Sequence, residues 1–314
     1  MSERPVTRRG LLGLAGASAL TAGLSACSIR LESGAPEIPG IPTQGPPADT
    51  AALQATVRSR KGLLESLATP TAGLQAQLRS AYQAQLTRLQ AVMASAGIPE
   101  PTASGTGGSS QSPGASGTSA ATPASTAPFQ TVLDRTVDNT TFARIAAVGT
   151  AYTPMLASIS AVDAAALTAS GGSVSWPTTS VPSEVAAALL PAVREAVYGL
   201  EVIAAKTALT GRARVTATLH TMYPIRTQLE ALAGDAAPPL HSTYVLTPDP
   251  STDQARTALG QHLLTSVVAA CADQAEATKG SANHVAALLR IWATVLAASW
   301  TWGVAPVAFP GLTG

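Results

Sequence analysis

Charge is scarce in this chain. Asp, Glu, Lys and Arg make up 12% of its 314 residues, and the two signs nearly cancel at a formal +1. No basic patch stands out, which argues against a nucleic-acid partner. Lysine occurs only at Lys61, Lys206 and Lys279, so arginine carries most of the positive charge. Aromatic residues are scarcer still, at 4%. Histidine is confined to His220, His241, His262 and His284, all in the second half. The two cysteines are Cys27 and Cys271. There is no Gly-x-Ser-x-Gly, phosphate loop, dinucleotide fingerprint or Cys-x-x-Cys, so no catalytic residue is assigned.

What the chain does have begins at its N-terminus. Thr7-Arg8-Arg9-Gly10-Leu11-Leu12 leads into a run of small apolar residues that ends in Leu24-Ser25-Ala26-Cys27. A basic end, a short apolar core and a small-residue cleavage site make an export signal over 1–26. The Arg8-Arg9 pair points to the twin-arginine machinery. Leu-Ser-Ala-Cys resembles a lipobox, in which Cys27 is acylated and becomes the new N-terminus. The run from Leu11 to Ala26 is too short and too rich in Gly, Ala and Ser for a good span, which needs about 20 apolar residues. The expected location is therefore the outer side of the cell membrane, with lipid on Cys27 as the membrane partner. Two or three acyl chains, at about 0.8 kcal/mol per buried methylene, suffice for stable anchoring. Cleavage removes Glu3, Arg4, Arg8 and Arg9, a net +2, and leaves the remainder at a formal −1. With Cys27 acylated, Cys271 has no intramolecular partner and reads as a small buried apolar residue.

Alanine-rich composition with few β-branched clusters favours helices. Residues 27–49 read as a flexible tether. Helices are expected at 50–68 and 71–96. A Ser/Gly/Thr/Ala/Pro tract over 98–128 cannot bury enough surface to offset its ordering entropy and is expected to be disordered. Further helices are expected at 129–139 and 141–169, then a linker at 171–182. The second half has helices at 183–209, 212–233, 252–278 and 281–302. In the last, Val285, Leu288, Leu289, Trp292, Val295, Leu296 and Trp300 follow the i, i+3, i+4, i+7 stripe. Trp292, Trp300 and Trp302 read as core.

Each half is thus helix, short turn, helix, long connection, helix, short turn, helix. Short turns force antiparallel neighbours and a long middle connection allows a crossover, the ferritin-like variant of a four-helix bundle. The expected fold is all-α: two ferritin-like four-helix bundles, at 50–170 and 183–312. A shift of 141 residues sets Leu74, Leu78, Ala81 and Tyr82 on Val215, Leu219, Met222 and Tyr223, as an internal duplication would.

The second half also carries Arg194-Glu195-Ala196-Val197-Tyr198-Gly199, Leu229-Glu230-Ala231-Leu232-Ala233-Gly234, Tyr244, and Trp300-Thr301-Trp302 through Phe309-Pro310-Gly311. Over about 180–312 these resemble a ferritin-like domain family of unknown function found in twin-arginine lipoproteins of high-GC bacteria. The resemblance implies a fold rather than an activity, and the first half resembles the same plan more distantly.

A di-iron bundle of that class needs inward carboxylates and Glu-x-x-His on two helices. Three residues before His220, His262 and His284 stand Ala217, Leu259 and Ser281, and His241 sits in a Pro-rich connection. No metal ligand and no cofactor is therefore assigned. Asp273 and Glu276 read as a solvated pair. One polar position interrupts an apolar line: Arg226 falls among Val215, Leu219, Met222, Leu229 and Ala233, and Gln85 is its shifted equivalent. Glu201 edges the face of Val193, Val197, Leu200 and Ala204. Glu201 and Arg226 are the candidate buried polar pair, the guanidinium standing where a metal-bearing bundle holds its ion; a snorkelling Arg226 is the alternative. The expected function is an envelope binding or scaffold lipoprotein, partnered by an envelope protein. The alternatives are a metal-dependent oxidoreductase with unrecognised ligands and a carrier of a small apolar ligand.

Overall fold

A computed structural model describes residues 47–67, 73–101 and 128–312. The export signal, Arg8, Arg9, Cys27 and nearly all of the tether lie outside the described residues, as do residues 102–127 of the Ser/Gly tract. All regular structure among the described residues is helical.

Helices α1 (Ala48–Ser66) and α2 (Leu74–Ser95) form an adjacent pair. Pro47 precedes α1, and Asp49 in its first turn suits the positive end of the helix dipole. Asp49 also accepts the Gly149 backbone N–H at 2.7 Å, which ties α1 to a turn 100 residues on. After α2, Ile98 packs against the core, so the tract expected to be loose begins with an anchored residue.

The helix expected over 141–169 is two helices. Asp138 accepts the Thr141 N–H and starts α4 (Asn139–Ala147). The chain then turns extended at Val148, and α5 (Thr153–Ala169) restarts with Pro154 in its first turn. A proline is tolerated there and disfavoured in a helix interior, so the break falls on its N-terminal side. The helix expected at 129–139 is correspondingly short, α3 (Phe129–Asp134).

In the second half lie α6 (Ser183–Lys206), α7 (Ala213–Ala233), α8 (Asp253–Asp273) and α9 (Ala282–Thr301). Thr252 and Ser281 cap α8 and α9 through their side-chain oxygens. The expected reach of α8 to residue 278 stops at Asp273, and a separate short 3₁₀ turn covers Glu276–Thr278. Helix α6 packs on α7 and α8, and α9 on the same two, so the four close a ring.

Helix α5 is buried on every side from Leu156 to Leu167, as a helix apolar all round must be. It packs on α9, which also touches α4. Residues from Pro47 onward belong to one compact unit, and one apolar core runs from α1 to α9. Helix α9 is long and apolar enough to cross a membrane, but much of it is covered by this packing. Residues 171–182, expected as a linker, are packed: Trp176 stacks on Phe142 at 5.6 Å, Val181 is buried, and Thr179 bonds the Asn283 carbonyl. Large apolar residues in a short connection bury where they can.

The motif residues of the second half meet in space. Arg194 pairs with Glu230 at 3.1 Å and donates to the Pro238 carbonyl, and the rings of Tyr198 and Tyr244 lie 5.4 Å apart. Past α9 the chain returns as a strap. Gly311, at φ +82°, sits so close to α8 that an added Cβ would lie 2.7 Å from the Val268 carbonyl oxygen. Only glycine suits both that backbone and that approach.

Candidate functional site

Among the described residues the buried charge lies in the first half. Arg60 occupies the apolar stripe of α1, between Val57 and Leu63, and is 1% exposed. Asp163 lies on α5, also 1% exposed. Arg60 Nη1 donates to Asp163 Oδ1 at 2.7 Å, and Nη2 donates to Oδ2. This parallel two-bond form is the strong geometry for guanidinium and carboxylate. Nη1 also donates to Gln85 Oε1 at 2.8 Å, and Nη2 to the Ser59 hydroxyl. Gln85 passes the connection on by donating to the Ala308 carbonyl of the strap at 2.6 Å, and Ser158 donates to the Pro310 carbonyl. The pair therefore joins α1, α2 and α5 to the C-terminal strap.

Tyr82 completes the assembly. Its ring lies under the guanidinium, 4.9 Å from Cζ. Burial pulls the Arg60 pKa down, but the charge and hydrogen bonds of Asp163 hold it above its ordinary value. Burial, then the Asp163 charge, pushes the Tyr82 phenol well up. Arg60 is therefore charged and the phenol neutral at any ordinary pH. The Tyr82 hydroxyl and Arg60 Nε find no partner among the described residues.

Over this floor opens a cavity of about 300 Å³. Its wall is polar, with Thr56, Arg58, Thr136, Asp138, Thr141, Arg144 and Ser160 among the lining residues. It lies where α1, α4, α5 and the α3–α4 turn converge. Asp138 is occupied as the cap of α4.

The expected pair of Glu201 and Arg226 does not form inside the second half. Glu201 is exposed and accepts from the Tyr223 hydroxyl at 3.1 Å, while Arg226 is half-buried and lies over the Tyr223 ring, 5.3 Å from its centre. The two meet only through that tyrosine at the surface, because Arg226 sits beside, not on, the line of Met222, Ile225 and Leu229. Gln85, its shifted counterpart, is the residue that is buried in the charged assembly.

His220, His241 and His262 are exposed and His284 is half-buried. Among the described residues no three of His, Cys, Asp and Glu gather as a metal site would require. Cys271 is buried, and burial raises its pKa, which keeps the thiol protonated. Trp292 and Trp302 are core residues; Trp302 donates to the Thr218 hydroxyl at 2.9 Å and carries Arg214 on its face at 4.3 Å.

Sequence reasoning missed Arg60 and Asp163, although both left a signal. Arg60 interrupts Leu53, Val57 and Leu64 at helical spacing. Asp163 is the sole charged residue in the seventeen of α5. No family model, curated protein or solved structure matches this chain.

Proposed function

We infer that this chain is an exported lipoprotein, anchored through Cys27 on the outer side of the cell membrane, whose helical body is a non-catalytic binding module of degenerate ferritin-like type. The observation that carries the binding reading is the polar cavity above Arg60 and Asp163. A pocket of this size with fixed polar groups suits a small ligand. Its chemistry suits holding rather than reacting. The Asp163 carboxylate is engaged at both oxygens by Arg60, and neither a histidine nor a cysteine lines the wall. A general base or nucleophile needs a free lone pair within reach of the substrate.

The ring of α6, α7, α8 and α9 supports the bundle reading of the second half, and a guanidinium lies at the heart of the first half's polar interior. The export reading rests on Arg8-Arg9 and Leu24-Ser25-Ala26-Cys27. Its test is fractionation of cells carrying the wild type, Cys27→Ala, or Arg8→Lys with Arg9→Lys. The wild type partitions into detergent with acyl mass on the mature N-terminus. Cys27→Ala loses that mass, and the double lysine variant stays in the cytoplasm. An acyl mass on the alanine variant would overturn the anchoring assignment.

A further inference from the structure

The cavity has a sign. Arg58, Arg60, Arg135 and Arg144 line it against Asp138 and Asp163, which leaves the wall at a formal +2. Asp138 offsets only one of the three outer arginines. Asp163 is held by Arg60, and Asp138 accepts the Thr141 N–H at 2.7 Å. Among the described residues Arg58, Arg135 and Arg144 enter no ion pair. In a chain with 12% charged residues, three unpaired guanidinium groups around one hollow are a local excess that repels itself.

One kind of guest relieves this excess. An oxyanion neutralises the outer arginines and supplies acceptors. Guanidinium groups match phosphate in charge and in paired hydrogen-bond geometry. The hydroxyls of Thr141 and Ser160 add donors on the wall. A volume of about 300 Å³ exceeds the need of a bare ion and sits at the lower end for small organic ligands. We propose that this cavity is a binding site for a small phosphate monoester, with Arg135 and Arg144 as its chief charge contacts and Arg60 as its fixed floor. This rests on the binding reading of the cavity and names its ligand class; the anchoring assignment is tested separately by fractionation.

The test is titration of the full chain in detergent with inorganic phosphate and with glycerol 3-phosphate, read by calorimetry. Saturable binding is expected, tighter for the ester, and weaker as salt rises. Arg135→Gln and Arg144→Gln, both at accessible positions, each weaken it about tenfold with unchanged melting temperature. Arg290→Gln, exposed on α9, leaves it unchanged. No saturable binding, or binding indifferent to Arg135→Gln and Arg144→Gln, would overturn the assignment. So would binding to phosphatidic acid in vesicles with none to the soluble ester.

Discussion

Arg60 and Asp163, 103 residues apart, hold one another through two parallel hydrogen bonds in an interior where each is 1% exposed. Such a pair gains Coulomb energy but loses the hydration of two charges, and its net worth is small. Its removal by halves is another matter. Asp163→Ala strands a buried guanidinium and costs about 3–5 kcal/mol, a large share of the roughly 5–15 kcal/mol that holds a domain together. Arg60→Met with Asp163→Leu recovers most of that loss, because the charge goes with its partner. Urea unfolding of the two variants and the wild type checks both. An Asp163→Ala cost below about 1 kcal/mol would mean the pair is not buried as described.

Two helical glycines make a controlled comparison. A Cβ on Gly260 would lie 2.3 Å from the Trp302 ring, and one on Gly199 would lie 2.4 Å from a methyl of Leu263. Alanine favours a helix over glycine by about 1 kcal/mol. At Gly199 the far end of a flexible leucine yields, so Gly199→Ala is near neutral. The indole is held by Thr218 and Arg214 and has nowhere to go. Gly260→Ala therefore destabilises by about 1–3 kcal/mol and shifts tryptophan emission to the red. Equal melting temperatures for the two variants would contradict this packing.

Cys271 and Tyr82 set the alkaline limit. Burial raises both pKa values in the folded state, above ordinary values of 9.0 and 10.0. Below pH 9 both groups are protonated whether folded or not, and their contribution is fully present. Above it the unfolded chain ionises first, so stability falls as pH rises. Cys271→Ala removes the first part of the fall, above about pH 9, and Tyr82→Phe the part above about pH 10. Denaturant midpoints between pH 7 and 11 read the slopes. A Cys271→Ala slope equal to the wild type's would show that the thiol is accessible.

The helices were legible in the sequence because their apolar stripes and turns are local features. The stripe from Val285 to Leu296 is buried as its spacing requires. The break between α4 and α5 was less legible. Its marks are Gly149 and Pro154, and an alanine-rich pattern runs past them. The site was misplaced for a different reason. Arg226 and Arg60 both interrupt apolar runs, and which one is buried depends on what faces it. Arg60 faces α5, which is buried all round and carries Asp163. Arg226 faces a surface tyrosine. That difference is a fact of tertiary packing, which no single helix pattern contains.

We propose that the charged interior works without a metal ion, built on the pair of Arg60 and Asp163. Both Asp163 oxygens accept from Arg60, and the histidines lie on exposed or half-buried positions. A metal that binds the native state alone raises the melting temperature by mass action. The direct measurement is the melting curve of the full chain, purified from its own host, with and without chelator. The two curves are expected to coincide. A drop on adding chelator, restored by iron, manganese or zinc, would contradict the account and favour a metal-dependent oxidoreductase.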